Sequence, residues 1–294
     1  MKVRDLIIAL RPQQWVKNCF IFLPLIFGRM LFVYPHNLKT LVYFFVFSLA
    51  SSAAYLVNDI LDKEEDLSHP VKSLRPVASG KINMPWALAI SFSLGLFSLG
   101  FSFWLSFNFG IVIAVYMFFN ILYTKILKRI PIIDVFCIGL FFLLRIIAGS
   151  ISSEVTLSRW IIIMVVLLAV YLGFNKRRQE VKISNSSGGG YKRFVLKRYN
   201  VVVIDKISDL TAMAILGAYL LYTVNIRTVK EFGSNHLLYT VPFVFYGVIR
   251  YRNLIRKSGE GEGDPTRIFT TDRVQQLNVL LWLFSCIGVI YFGF

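Results

Sequence analysis

The sequence has 294 residues, of which 56% are hydrophobic and only 16% charged, with 27 Phe and a formal net charge of +16. That balance excludes an ordinary soluble two-domain protein and points to a chain that lives in a bilayer. No nucleic-acid partner is expected from the charge, because the cations flank apolar runs, where anionic headgroups attract them.

Taken in chain order, residues 1–14 carry Lys2, Arg4, Asp5 and Arg11 in an amphipathic pattern. They read as an interfacial N-terminal helix rather than a cleavable signal. Nine apolar spans follow, at about 18–34, 38–57, 86–106, 109–127, 132–150, 159–175, 209–226, 236–251 and 274–294. The first is interrupted by Pro24 and carries Arg29. Ile82 to Thr124 holds no charged residue and no His, enough for two crossings, with a turn expected at Asn108 and Gly110. The eighth span is the weakest, free of charge only from Leu237 to Ile249. Solid apolar runs lack the alternation of a membrane barrel. The expectation is an all-α polytopic bundle of nine transmembrane helices forming one domain, 1–294, with polar loops near 58–85, 176–206 and 252–273. Cys19, Cys137 and Cys286 read as packing residues, and three scattered His argue against a zinc cluster.

Nine spans divide the polar segments into two sets, and one set holds 26 of the 32 Lys and Arg. The positive-inside rule puts that set, with the N-terminus, in the cytoplasm and the C-terminus outside.

The stretch "NDILDKEEDLSHPVKSLRPVASG" at 58–80 places five acids beside a greasy span. With no breaker before Pro70, a helix is expected to run through Asp66. At 100° per residue Asn58, Asp59, Asp62 and Asp66 share an arc of about 100°, with Glu65 at its border and Glu64 pointing away. Such a face is either a solvated end of a span or a seat for Mg²⁺, which takes hard oxygen ligands and leaves room for water and phosphate. Lys72 and Arg75 follow in a loop turned by Pro70 and Pro76. Acids for a cation, then cations for anions, is the layout of a metal–diphosphate site.

"NDILDKEED" fits the Asn-Asp-x-x-Asp-x-x-x-Asp motif of the UbiA superfamily of membrane prenyltransferases. "RPQQWVKN" at 11–18, "HPVKSLRP" at 69–76, "YTKILKRIPIIDV" at 123–135 and "LRIIAG" at 144–149 are similar to its decaprenyl-phosphate phosphoribosyltransferase branch. "GFNKRRQE" at 173–180 resembles that branch's Gly-Lys-Arg-Tyr-Ala-Glu signature, with Arg178 where Tyr is usual. "GEGDPTRIFTTDR" at 261–273 is similar to its C-terminal loop. The resemblance implies a UbiA-like nine-helix bundle with a cavity open to the cytoplasm and to lipid, in a bacterial or archaeal plasma membrane. It also implies Mg²⁺-dependent transfer of 5-phosphoribose from phosphoribosyl diphosphate to a polyprenyl phosphate lipid. Diphosphate is released, and the lipid serves as a precursor of cell-envelope sugars.

That chemistry suits the residues. Charge builds on the departing diphosphate, which metal and cations stabilise. A phosphate nucleophile is already anionic, so no strong base is required. The metal set is Asn58, Asp59, Asp62 and Asp66. The phosphate set is Lys17, Lys72, Arg75, Lys125, Lys128, Lys176 and Arg177. Glu180 has three open roles: a second metal, the orientation of Arg177, or a solvated acid. Tyr123 either bonds a phosphate or anchors a span end. An Arg within a span marks function or a buried partner. Arg145 therefore either lines the cavity floor or pairs structurally. Prenyl transfer from a prenyl diphosphate to an aromatic acceptor is the rival enzyme, and a transporter or lipid-binding protein is the rival of another class. Polyprenyl length, the number of Mg²⁺ ions and the oligomeric state, a homo-oligomer included, stay open.

Overall fold

The computed structural model describes residues 2–69, 71–186, 200–257 and 265–293, apart from the side chains of 183–186, 257 and 265–267. Every regular element among these residues is helical. The chain divides into two compact units. One holds the described residues of Met1–Thr156, and the other those of Leu157–Ser186 and Leu196–Phe294.

The first unit opens with α1 (Val3–Leu10), which buries Ala9 and leaves Val3, Ile7 and Ile8 exposed. It stops at Arg11, whose backbone is left-handed at φ 51°. Pro12 explains the stop, because a residue before proline is disfavoured in the helical region. A 3₁₀ run, Pro12–Ile21, then leads into the short α2 (Phe22–Phe27). The single helix expected over 1–14 is therefore two elements, and the expected span at 18–34 is not one continuous helix.

The centre of this unit is α3 (His36–Leu61), followed by the one-turn α4 (Lys63–Leu67). Ala50, Ser51, Ser52, Ala53 and Ala54 of α3 are all buried. Small residues let helix backbones approach closely, the main source of packing where lipid removes the hydrophobic drive. Against α3 lie α5 (Met84–Leu105) and α6 (Phe107–Lys125). Asn83 caps α5 by accepting from the Trp86 amide at 3.1 Å. The turn between α5 and α6 falls at the extended Ser106, not at Asn108 and Gly110, which lie inside α6. Gly110 serves packing instead: a Cβ there would meet the Phe103 ring at 2.2 Å. The unit closes with α7 (Ile133–Ser153). Gly149 of α7 lets the 3₁₀ run pass, since a Cβ would stand 2.0 Å from the Ile21 carbonyl oxygen. Tyr43, Phe47, Phe109, Ile113, Tyr116 and Leu144 form the core between these helices.

In the second unit α8 (Arg159–Ser186) packs on α9 (Val201–Val224). The short α10 (Ile226–Phe232), α11 (Val241–Lys257), α12 (Pro265–Thr271) and α13 (Arg273–Ile287) complete it. Tyr171, Ala212, Ile215, Tyr251, Ile255 and Ile268 make its core. Of the loop expected at 176–206, residues up to Ser186 are helical in α8 and those from Val201 in α9. Asn200 caps α9 by accepting from the Val202 amide, and 187–199 lie outside the described residues.

Six helices among the described residues are long and apolar enough to cross a membrane: His36–Leu61, Met84–Leu105, Phe107–Lys125, Ile133–Ser153, Arg159–Lys182 and Arg273–Phe292. The expected spans at 18–34, 209–226 and 236–251 are not among them.

Candidate active site

The acidic stretch sits where α3 gives way to α4. Helix geometry does not run unbroken through Asp66: α3 ends at Leu61, and Asp62 has φ −100° and ψ 9°. The next turn is still hydrogen-bonded across the break, with the Asp66 amide donating to the Asp62 carbonyl at 2.8 Å. The consequence is a regrouping of the carboxylates. Asp59 and Asp66 share one cation, and Asp62 joins Glu65 on another.

Arg75 holds the first pair, donating from Nη1 to Asp59 Oδ1 at 3.1 Å and to Asp66 Oδ2 at 2.6 Å. Lys128 holds the second, with Nζ on Asp62 Oδ1 and 3.4 Å from Glu65 Oε2. Lys128 is buried in the 3₁₀ turn Leu127–Arg129 just after α6. Arg11 donates from Nη2 to Asp59 Oδ1, and the Thr124 hydroxyl meets Asn58 Oδ1. Glu64 is exposed, as its position outside the arc implies.

Side-chain hydrogen bonds fix the loop that carries Arg75. His69 is buried, and its Nδ1 accepts from the Val71 and Lys72 amides at 3.2 and 3.3 Å. The Ser79 hydroxyl donates to the Arg75 carbonyl at 2.8 Å. Burial pushes the Asp66 carboxyl above the usual carboxylate range, while Arg75 and Lys72 draw it back.

Among the described residues no three His, Cys, Asp or Glu side chains are gathered as a finished metal cage. The donor chemistry nonetheless fits a hard divalent cation. Asn58, Asp59, Asp62 and Asp66 offer only oxygen ligands. Asp59 is 1% exposed, and its Oδ2 is buried without a hydrogen-bond partner. A buried carboxylate oxygen left bare is costly unless something fills the gap.

The other sequence candidates divide. Lys17 contacts Gln14 Oε1 at 2.6 Å, Tyr123 packs edge-on against Phe141, and Lys125 is exposed at the end of α6. Arg145 is 3% exposed. Its Nε donates to Asn18 Oδ1 at 2.8 Å and its Nη1 to the Phe141 carbonyl at 2.6 Å. Its guanidinium lies over Phe47, Tyr116 and Phe142 at 5.0–5.8 Å. Aromatic faces thus surround this cation, an arrangement that attracts a guanidinium.

In the second unit "GFNKRRQE" lies inside α8. Arg177 is fully buried and pairs with Glu180. Lys176 is half-buried. Arg178 takes both oxygens of Asp205, and Asn175 donates to Ser208 at 2.8 Å. Of the C-terminal resemblance, 261–264 lie outside the described residues.

Arg11, Glu65 and Thr124 join this cluster without being among the sequence candidates. The signal for Arg11 was present in "RPQQWVKN", but a cation beside a span is ordinarily a headgroup contact. Glu65 was placed at the border of the arc, and only the break at Asp62 brings it in. Thr124 lies within "YTKILKRIPIIDV", but nothing in that stretch shows that it reaches Asn58 from 66 residues away.

Comparison with known proteins bears on this geometry. The model of the UbiA prenyltransferase family matches residues 21–271. The decaprenyl-phosphate phosphoribosyltransferase of Mycolicibacterium smegmatis is 30% identical over 99% of this chain and 94% of its own length. That of Corynebacterium glutamicum is 29% identical over 96% and 86%. Among solved structures, a UbiA homolog from Archaeoglobus fulgidus bound to DMAPP and Mg²⁺ superposes with a TM-score of 0.66. It is 17% identical, with 97% of this chain and 98% of that one covered. The chain thus belongs to the UbiA prenyltransferase family and is a multi-span membrane transferase of that superfamily.

Proposed function

We propose that the protein transfers 5-phosphoribose from phosphoribosyl diphosphate to a polyprenyl phosphate of the decaprenyl type. The observation that carries this reading is likeness to decaprenyl-phosphate phosphoribosyltransferases over 99% of the chain, in a protein whose acids and cations alternate at one helix end. The ribose C1–oxygen bond to diphosphate breaks with its electron pair leaving on diphosphate. An anionic oxygen of the lipid phosphate forms the new bond to C1, so no proton needs to be removed.

Asn58, Asp59, Asp62 and Asp66 would hold Mg²⁺, which when bound neutralises charge building on the diphosphate. Arg75 and Lys128 are already beside those carboxylates and would contact phosphate oxygens, Arg as a fork and Lys as a point charge. The charge of Lys72 acts on Asp66, against the upward push of burial, and Lys72 belongs with them. Lys17, Lys125, Lys176 and Arg177 are the remaining phosphate candidates, with Glu180 fixing Arg177. The acid face and N-terminus are assigned to the cytoplasm, and the C-terminus to the other side of a bacterial or archaeal plasma membrane.

The rival reading is transfer of a prenyl group to an aromatic acceptor, favoured by the DMAPP and Mg²⁺ in the solved archaeal homolog. The test supplies purified protein with Mg²⁺, labelled phosphoribosyl diphosphate and a short panel of polyprenyl phosphates. Labelled lipid is expected. No labelled lipid, together with turnover of a prenyl diphosphate on an aromatic acid, would reverse the assignment.

A further inference from the structure

We propose that Arg11 is a working part of this site. It neutralises Asp59 while no divalent cation is bound, then yields that carboxylate to the cation and turns to the substrate's diphosphate. The inference rests on the metal–diphosphate reading of the acid face, and its test requires neither the lipid nor the sugar.

Two guanidinium groups crowd one oxygen of Asp59. Arg11 Nη2 and Arg75 Nη1 both donate to Oδ1, and Oδ2, equally buried, has no hydrogen-bond partner. A guanidinium ordinarily takes both oxygens of a carboxylate as a fork. Here the open oxygen is left to a ligand that the protein's own donors do not supply. Among the described residues four carboxylates, Asp59, Asp62, Glu65 and Asp66, are met by Arg11, Arg75 and Lys128, and the charge of Lys72 also acts on Asp66. A divalent cation entering this nearly balanced set brings like charge against the cations. At least one of them must leave, and diphosphate restores the balance.

Arg11 is the cation best placed to leave. Lys128 is only 6% exposed, and Arg75, though at 28% more exposed than Arg11 at 17%, ties two acids together, whereas Arg11 bridges only Asp59. The Tyr55 ring lies 5.4 Å from its guanidinium carbon and offers an apolar face on which the charge can rest. Its backbone is pinned on both sides. The Ser52 hydroxyl donates to the Leu10 carbonyl at 2.7 Å and accepts from Trp15 Nε1 at 3.0 Å. Side-chain rotation therefore suffices, and α1 need not move.

Linkage then fixes the measurable consequence: the cation and diphosphate strengthen each other's binding by the same factor, and Arg11 carries part of that factor. Mn²⁺ binding to the full-length protein in detergent is followed by electron paramagnetic resonance, with and without inorganic diphosphate, corrected for the complex the two form in solution. Arg11→Gln should bind Mn²⁺ alone about tenfold more tightly than wild type, since one buried ionic contact no longer has to break. It should also lose most of the gain that diphosphate gives wild type. Arg11→Lys keeps the charge and should stay within about threefold of wild type for Mn²⁺ alone. Unchanged or weaker Mn²⁺ binding by Arg11→Gln, an undiminished diphosphate gain, or equal tightening by Arg11→Lys would each overturn the proposal. A chain that passes this test but makes no labelled lipid would refute the phosphoribosyl reading and leave the role of Arg11 standing.

Discussion

Asp59 and Arg145 are both buried ionisable side chains, yet their surroundings differ. Asp59 has one oxygen crowded by cations and one bare, the condition of a group that expects a ligand. Arg145 gives Nε to Asn18 and Nη1 to a backbone carbonyl, and rings cover its faces. Asp59→Asn and Asp62→Asn should each lower turnover of labelled phosphoribosyl diphosphate by roughly a hundredfold or more, the scale of losing electrostatic stabilisation of a leaving group. Circular dichroism should show the helices intact. Arg145→Lys keeps a charge but cannot serve both acceptors or lie flat on the rings, so it should cost about 1–3 kcal/mol of stability. Melting in detergent measures that loss, and an unchanged KM for the donor separates it from a binding role.

At the scale of the element, contacts that a sequence pattern ignores decide where helices stop and how closely they pass. The break at Asp62 turns one carboxylate stripe into two cation-bound pairs, and Pro12 with Gly149 sets the path of the 3₁₀ run past α7. Gly149→Ala would drive a methyl group onto the Ile21 carbonyl, 2.0 Å from an ideal Cβ. Overpacking of this kind typically costs about 1–3 kcal/mol, visible as a lower melting temperature. Asp272 caps α13 through the Gln275 amide at 2.6 Å and takes Arg250 at 2.9 Å on both oxygens. The Arg250 guanidinium, helped by the Gln275 amide, holds the Asp272 carboxyl below its ordinary value. A depressed carboxyl stabilises the fold above the unfolded pKa of about 3.9 and loses that contribution as pH falls through the folded value. Asp272→Asn keeps a capping oxygen and removes only the charge. Its deficit in melting temperature should be small at pH 7, as for an exposed pair, and should vanish in strong acid.

For the molecule as a whole, the proposed function requires the acid face to lie on the cytoplasmic side of the bilayer. Ser79 lies in the exposed loop after the acid face, and Tyr34 is 77% exposed between α2 and α3. In a Cys19→Ser background, Ser79→Cys should react with a membrane-impermeant thiol reagent from the cytoplasmic side and Tyr34→Cys from the opposite side. The reverse pattern would invert the assigned topology. Chelation should abolish transfer and Mg²⁺ should restore it, as expected of a hard oxygen donor set. In labelled-lipid assays, activity after a chelator without added metal would contradict the metal assignment.

Much of this protein is written in its sequence. Hydrophobic runs of about 20 residues admit few folds in lipid, where every backbone group needs an internal partner, so the helical membrane class is legible from composition. The ordered motifs from Arg11 to Arg273 carry the family, and helical periodicity already collects Asn58, Asp59, Asp62 and Asp66. Tertiary structure decided which charges meet. Lys128 reaches Asp62 from 66 residues away, and Arg11 reaches Asp59 from 48. Arg177 turns inward to Glu180, and Arg145 is enclosed by rings. Periodicity reports which face a side chain shares with its own helix. Which cation comes to rest on a buried carboxylate depends on how separate helices pack, and no local pattern records that.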